Sequence, residues 1–340
     1  MIQAHVLDSW TRIDARGTWQ YAWAMIVAGF GAPMFLFLAG ISVALSGGSK
    51  LRRNGDSRAA AAVVMNRGVW IFFLAFLFRL QAWVLGWGAP RTLLKVDILN
   101  VMGPSIAAAG ALWGSMRAPR QRLAAFAASA AAISIVTPIL RHARALDGLP
   151  DALEAYVRPL GGFSAFCFFP WAGFVFAGAV IGLFLDQART PERESRLNAW
   201  LAIAGVTLGV AAYAGSFLPT PYAHSEFWGG SPAFFALRVG ILTFIVPLAY
   251  AWEQVVIRQS WSPMKQLGRS SLFIYWIHVE IVYGLVSLRI HKTFSHPQAW
   301  AAYAAFVLLM LLCSIEKDRI MRWWNTRRKP NAYFIESRTF

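Results

Sequence analysis

The sequence predicts an all-α fold, a polytopic bundle of transmembrane helices, and three observations predict it. Of 340 residues, 57% are hydrophobic and 14% charged, whereas a soluble domain carries about a quarter of its residues as charges. The mean hydropathy is +0.48, and the apolar residues gather in runs approaching the ~20 residues that a helix needs to cross a bilayer. Lys and Arg fall almost wholly in the short segments between those runs, dense on one side and sparse on the other. The net charge of +16 is therefore a feature of membrane topology, and nucleic acid is not expected as a partner.

The expected spans, in order, are residues 24–45, 69–88, 96–114, 123–140, 162–185, 197–217, 232–252, 269–288 and 298–315. This amounts to about nine complete spans plus a partial helix at the N-terminus. Three parts follow: residues 1–23 as the end of a first helix and an outer loop, 24–315 as the transmembrane domain, and 316–340 as a basic tail. The segments 46–68, 115–122, 186–196, 253–269 and 316–340 hold 21 basic residues, and the alternate segments hold 9. The first set is expected in the cytoplasm, with the C-terminus among them. The tail, with Arg327, Arg328 and Lys329, reads as an anchor near anionic lipid. Residues 1–10, MIQAHVLDSW, read as the far end of an apolar helix, so a helix upstream of them is expected.

Small residues and cysteines follow the same logic. Gly178 with Gly182, and Gly110 with Gly114, form G-x-x-x-G pairs that permit close helix packing and a homodimer. Cys167 and Cys313 lie in apolar runs and read as small buried hydrophobes, with no disulfide expected.

Polar residues inside apolar runs are costly in lipid, so each needs a protein partner, a cavity or a ligand. The stretch Ser270–Gly284, SSLFIYWIHVEIVYG, carries Tyr275, His278 and Glu280. Ser271, Tyr275 and His278 fall at i, i+4 and i+7 and share a face, while Glu280 points elsewhere. His5 and Asp8 stand at i and i+3. A carboxylate beside an imidazole fixes its tautomer and raises its basicity, as general-base catalysis requires; the competing reading is a cap at a helix end. Arg79 either snorkels toward Trp83 and Trp87 or pairs with an acidic group or phosphate. Asp97 and Asn100, at i and i+3, either start a helix or touch substrate, and Asp97 can pair with Arg79 across antiparallel helices. Arg238 lies too deep to snorkel and calls for a buried partner or an anionic ligand. The loop 218–231, with aromatics, His224 and Glu226, suits a sugar ring or an interfacial aromatic belt. No metal-ligand spacing, Walker loop or nucleophile elbow is present, so no metal or bound cofactor is expected.

The segments IQAHVLDSW, GFGAPMFLFLAGISVALS, VDILNVMG, FPWAGFVFAGAVIG and LGRSSLFIYWIHVEIVYG together resemble the bacterial branch of the heparan-alpha-glucosaminide N-acetyltransferase family, within the transmembrane acyltransferase superfamily. The resemblance implies transfer of an acetyl group from cytoplasmic acetyl-CoA, a co-substrate rather than a bound cofactor, to a sugar or glycan acceptor across a bacterial inner membrane. It implies His5, oriented by Asp8, as general base, with His278 completing the catalytic set. Arg79, Asp97, Asn100, Arg238, Tyr275 and Glu280 would bind substrate or acyl-CoA. The family's histidine normally follows further beyond the first helix, and residues 11–23 contain none. A proton-coupled transporter and a non-catalytic relative of the enzymes are the rival readings.

Overall fold

A computed structural model describes residues 1–86, 90–225, 227–257 and 260–328. Trp87, Glu226, Lys329 and the rest of the tail lie outside the described residues. The helices run in order α1 (Ile2–Trp10), α2 (Trp19–Ala28), α3 (Gly31–Asn54), α4 (Ser57–Gly86), α5 (Ile98–Ser115), α6 (Pro119–Arg141) and α7 (Asp151–Val157). They continue with α8 (Phe168–Gln187), α9 (Pro191–Gly215), α10 (Phe227–Gly230), α11 (Pro232–Trp252), α12 (Pro263–Arg269), α13 (Ser271–Tyr283) and α14 (His296–Arg328). Among the described residues there is no strand beyond two isolated bridges. Several starts are written in the sequence as a hydroxyl followed by proline: Thr190 before Pro191, Ser231 before Pro232 and Ser262 before Pro263. In each the hydroxyl accepts a backbone N–H of the first turn, and the proline occupies a position whose N–H has no partner to lose.

Among the described residues seven helices are long and apolar enough to cross a membrane, which makes this a multi-pass membrane protein. Seven of the nine expected runs match them. The third expected run becomes α5, 18 residues long, which is not one of the seven. The eighth is broken into α12, a 13-residue α13 and a 3-10 segment, Leu285–Ile290. At 1.5 Å per residue, α13 spans about 20 Å, short of the ~30 Å hydrocarbon core. The run is apolar enough to span but is interrupted, because Ser270 and Gly284 leave helical geometry at its two ends.

The chain divides into two compact units, residues 29–256 and residues 1–28 with 257–340. In the larger unit α8 is the core helix: 61% of its apolar window is buried, against 22–39% for the other candidate spans. Lipid supplies little hydrophobic drive for helix association, so close packing must do it. The glycines show how. A Cβ on Gly178 would stand 1.9 Å from the Phe37 carbonyl oxygen, and one on Gly40 would stand 1.9 Å from that of Val175. Thus α3 and α8 touch backbone to backbone. Gly182 meets Ile41 in the same seam, while Gly110 and Gly114 meet α4 at Val64, Met65 and Ala61. Both G-x-x-x-G faces are consumed inside the chain, so a homodimer would need another surface. Gly178→Ala should therefore force the helices apart and cost about 1–3 kcal/mol, read as a lower thermal midpoint. Gly209→Ala, whose Cβ would meet only Leu237 at 4.0 Å, should be neutral or slightly stabilising. Equal midpoints for the two variants would refute the packing argument.

In the smaller unit α1 packs against α13 and α14. Val6, Trp10, Ile274, Val282, Phe306 and Met310 form its core, with the Trp10 ring edge-on to Phe306 at 5.5 Å. Its other end is polar. The Gln266 amide donates to the Ser314 hydroxyl at 2.9 Å and to Asp318 at 2.7 Å, tying α12 to α14.

Candidate functional site

Histidines and carboxylates meet in the smaller unit, and the chain's hydrogen bonds explain how. The Val282 carbonyl, near the end of α13, accepts from Ser9 Oγ at 3.0 Å, from Trp10 Nε1 at 3.3 Å and from His291 Nε2 at 2.9 Å. Backbone bonds from Arg12 to Phe294 and from Lys292 to Ser9, each 2.9 Å, pin the chain after α1 to the segment after α13. These clamps fix the C-terminal turn of α1 beside Tyr283.

The Tyr283 hydroxyl donates to Asp8 Oδ2 at 2.9 Å. Its one proton is thereby committed, so its oxygen accepts from His5 Nδ1–H at 3.1 Å. That tautomer leaves the lone pair of His5 on Nε2. Asp8 is held in turn by Arg16, whose guanidinium lies 3.7 Å from Oδ1 and also donates to the Asp8 carbonyl and to the Thr11 carbonyl. The sequence reading placed the carboxylate directly on the imidazole. In the structure the two meet through a phenol from a residue 275 positions away, and Arg16 joins them.

His278 lies next to this relay, its ring centroid 5.2 Å from that of His5. It is 1% exposed, and its Nδ1–H donates to the Ile274 carbonyl at 2.6 Å. Its Nε2 therefore carries a lone pair, is buried and has no hydrogen-bond partner. Tyr275 packs edge-on to His278 at 5.9 Å and is buried, so the predicted shared face of Tyr275 and His278 exists. Ser271, assigned to that face, is exposed, and Glu280 is half-buried. Two imidazoles thus present unprotonated nitrogens within one polar cluster, with a carboxylate–phenol chain behind the first.

The larger unit holds the other candidates. Arg79 Nη2 and Asp97 Oδ2 pair at 2.7 Å with both side chains mostly buried, so pairing replaces snorkelling. Asp97 also caps α5: its Oδ1 accepts the Ile98 N–H, while Asn100 Oδ1 accepts the Asp97 N–H. The Asn100 amide donates to the Tyr156 hydroxyl at 3.3 Å. Burial raises the Tyr156 pKa above its ordinary value, with the Asn100 bond working against it, so this phenol stays neutral at working pH. Arg79, Asp97 and Asn100 are thus engaged with protein groups. Arg238 is different: its guanidinium lies over Phe234 at 4.0 Å and Trp171 at 6.0 Å, and its buried Nε has no partner. The loop 218–231 packs Trp228 against Phe227 and Phe234, each at 5.1 Å, with Trp228 70% exposed; the Glu226 part of that reading lies outside the described residues. Among the described residues no three metal-ligating side chains converge.

The fold is that of a multi-pass helical membrane protein, and its smaller unit sets a half-buried His5, linked through Tyr283 to Asp8, beside a buried His278. The chain belongs to the heparan-alpha-glucosaminide N-acetyltransferase family: the model described as Heparan-alpha-glucosaminide N-acetyltransferase, catalytic, matches residues 1–214. No curated protein matches it. His5, Asp8, Arg16, Arg79, Asp97 and Asn100 fall inside the matched stretch; Arg238, Tyr275, His278, Glu280 and Tyr283 fall beyond it.

Tyr283 and Arg16 were absent from the residues singled out by sequence. Tyr283 closes the same polar stretch as His278, yet nothing local marks it, since its partners lie at the opposite end of the chain.

Proposed function

We propose that this protein is an integral membrane acetyltransferase that takes an acetyl group from acetyl-CoA and delivers it to an amine or hydroxyl of a sugar or glycan acceptor. The observation that carries this is the His5 imidazole, held through Tyr283 and Asp8 in the tautomer that leaves a base at Nε2. As the acceptor heteroatom attacks the thioester carbonyl, its proton passes to His5 Nε2. The tetrahedral intermediate collapses by breaking the C–S bond, and the CoA thiolate takes the proton back. Asp8 stabilises the imidazolium formed between those steps through the Tyr283 hydroxyl, and Arg16 holds that carboxylate in place. His278 Nε2, whose lone pair is buried and has no protein partner, accepts a hydrogen bond from the acceptor and aligns it.

Binding of acetyl-CoA to the detergent-purified protein tests the donor half of this reading. A ligand bound only by the folded state raises stability by about 2.7 kcal/mol at a hundredfold excess over Kd. We expect a saturable rise in the thermal midpoint with acetyl-CoA, followed by acetyl transfer to glucosamine-terminated oligosaccharides in proteoliposomes. A midpoint indifferent to acetyl-CoA would remove the transferase reading and favour a non-catalytic relative.

A further inference from the structure

The larger unit contains a cavity of about 250 Å³ lined by Pro138, Arg141, His142, Pro159, His224, Ser225, Gly229 and Gly230. It lies among the loops 141–161 and 218–231, the longest on their side of the predicted topology. That volume is below the ~300–1,000 Å³ of sites that enclose a whole drug-sized ligand, so it suits one small group rather than an entire substrate.

Its lining is cationic and rich in donors. Arg141 ends α6, and its Nε is buried without a hydrogen-bond partner. Guanidinium is always charged and has no acceptor capacity. Of the three carboxylates in the loop 141–161, Asp147 and Glu154 are held by Arg158, and Asp151 is exposed at the start of α7. Among the described residues no carboxylate pairs with Arg141. His142 and His224 stack at 5.1 Å, and an imidazole retains an N–H donor in either protonation state. Gly230 completes the cradle. A Cβ there would lie 2.8 Å from Arg141 Nε and 2.9 Å from Cζ, so only glycine lets the guanidinium rest against that backbone. The Tyr222 hydroxyl donates to the Ile135 carbonyl at 3.0 Å and anchors the loop bearing His224 onto α6. Arg238, eight residues beyond Gly230 and with no carboxylate partner among the described residues, does not line the cavity but adds to the positive field of this unit.

We propose that this cavity binds a single oxyanion group, a carboxylate, sulfate or phosphate borne by a sugar acid or a lipid headgroup, with Arg141 as the main donor and His142 and His224 as secondary donors. The anion site does not rest on the transferase reading above. Charge-assisted bonds to a fork-shaped guanidinium are the strong kind, which explains why a cavity of this size is enough to hold part of a larger molecule.

The test follows the thermal midpoint of the whole protein in neutral detergent during titration with sodium sulfate, against sodium chloride at matched ionic strength. We expect a saturable rise with sulfate, weakened at least tenfold in Arg141→Gln and severalfold in His224→Gln. Gly230→Ala keeps every charge while pressing a methyl group on the guanidinium, and it should weaken the response as well; it keeps the test decisive if Arg141→Gln does not fold. No sulfate response in the native protein, or the same response in Arg141→Gln and Gly230→Ala, overturns the site. Parallel titrations with a uronic acid and with phosphatidylglycerol separate the sources. A response to either one that is lost in Arg141→Gln supports the site and identifies its source; a response that survives in Arg141→Gln overturns it. The acetyl-CoA titration is read separately, so a native protein that answers sulfate but not acetyl-CoA keeps this site and loses the transferase reading.

Discussion

Replacing His5 with alanine or glutamine should lower acetyl transfer by about 10²–10⁴-fold, the contribution of a positioned general base, while leaving the acetyl-CoA-dependent rise in thermal midpoint in place. The glutamine variant is the sharper one. Its amide can still donate to the Tyr283 oxygen, so the relay keeps a partner, but no nitrogen with a lone pair remains where Nε2 stood. His5 is half-buried and does not belong to the apolar core that joins α1 to α13 and α14, so the loss should fall on turnover rather than folding. Full activity in His5→Gln would end the general-base assignment.

Tyr283→Phe should cost about 10–10²-fold, the usual effect of removing a partner that orients a functional ligand or base. The ring survives and keeps its edge contact with His5 at 5.4 Å. Lost are the hydroxyl proton on Asp8 and the oxygen that accepts His5 Nδ1–H. Without them the imidazole is no longer held in one tautomer, and the imidazolium has no link to the carboxylate. Asp8→Asn breaks the same chain at its far end. The carboxylate is 47% exposed and also held by Arg16, so water replaces part of what is lost and the fold tolerates the change. Because both variants interrupt one relay, the double variant should be little worse than either single one. The expected split is a lower kcat with an unchanged KM for acetyl-CoA. Multiplying effects, or a change confined to thermal stability, would mean that Tyr283 packs rather than orients.

Much of the architecture was legible without coordinates, for identifiable reasons. Apolar runs of spanning length have few alternatives, because every backbone polar group in lipid must be satisfied within its own helix. The Ser-Pro and Thr-Pro starts and the Asp97–Asn100 cap are local, three residues or fewer apart, and could be read directly. The pairing of Arg79 with Asp97 was readable because a buried cation demands a counter-charge and few acids were available. The break in the run 269–288 was not readable, since its few polar residues are set among apolar ones that continue on both sides and only the backbone at Ser270 and Gly284 reveals it. The glycine pairs were recognised as packing faces, but which helix they meet depends on the arrangement of α3, α4 and α8.

The sequence by itself determined that this is a helical membrane protein, which polar residues are too costly to leave in lipid, and that His5, Asp8 and His278 are candidates for chemistry. These follow from composition, period and desolvation cost, all local properties. Only the tertiary structure decided that Tyr283 stands between Asp8 and His5, that Arg16 holds the carboxylate, that His278 presents an unpartnered nitrogen, and that Arg141, His142 and His224 surround a cavity. A hydrogen bond acts over about 3 Å, and the residues that make these contacts lie up to 278 positions apart in the chain, so no pattern along the sequence could bring them together before the helices pack.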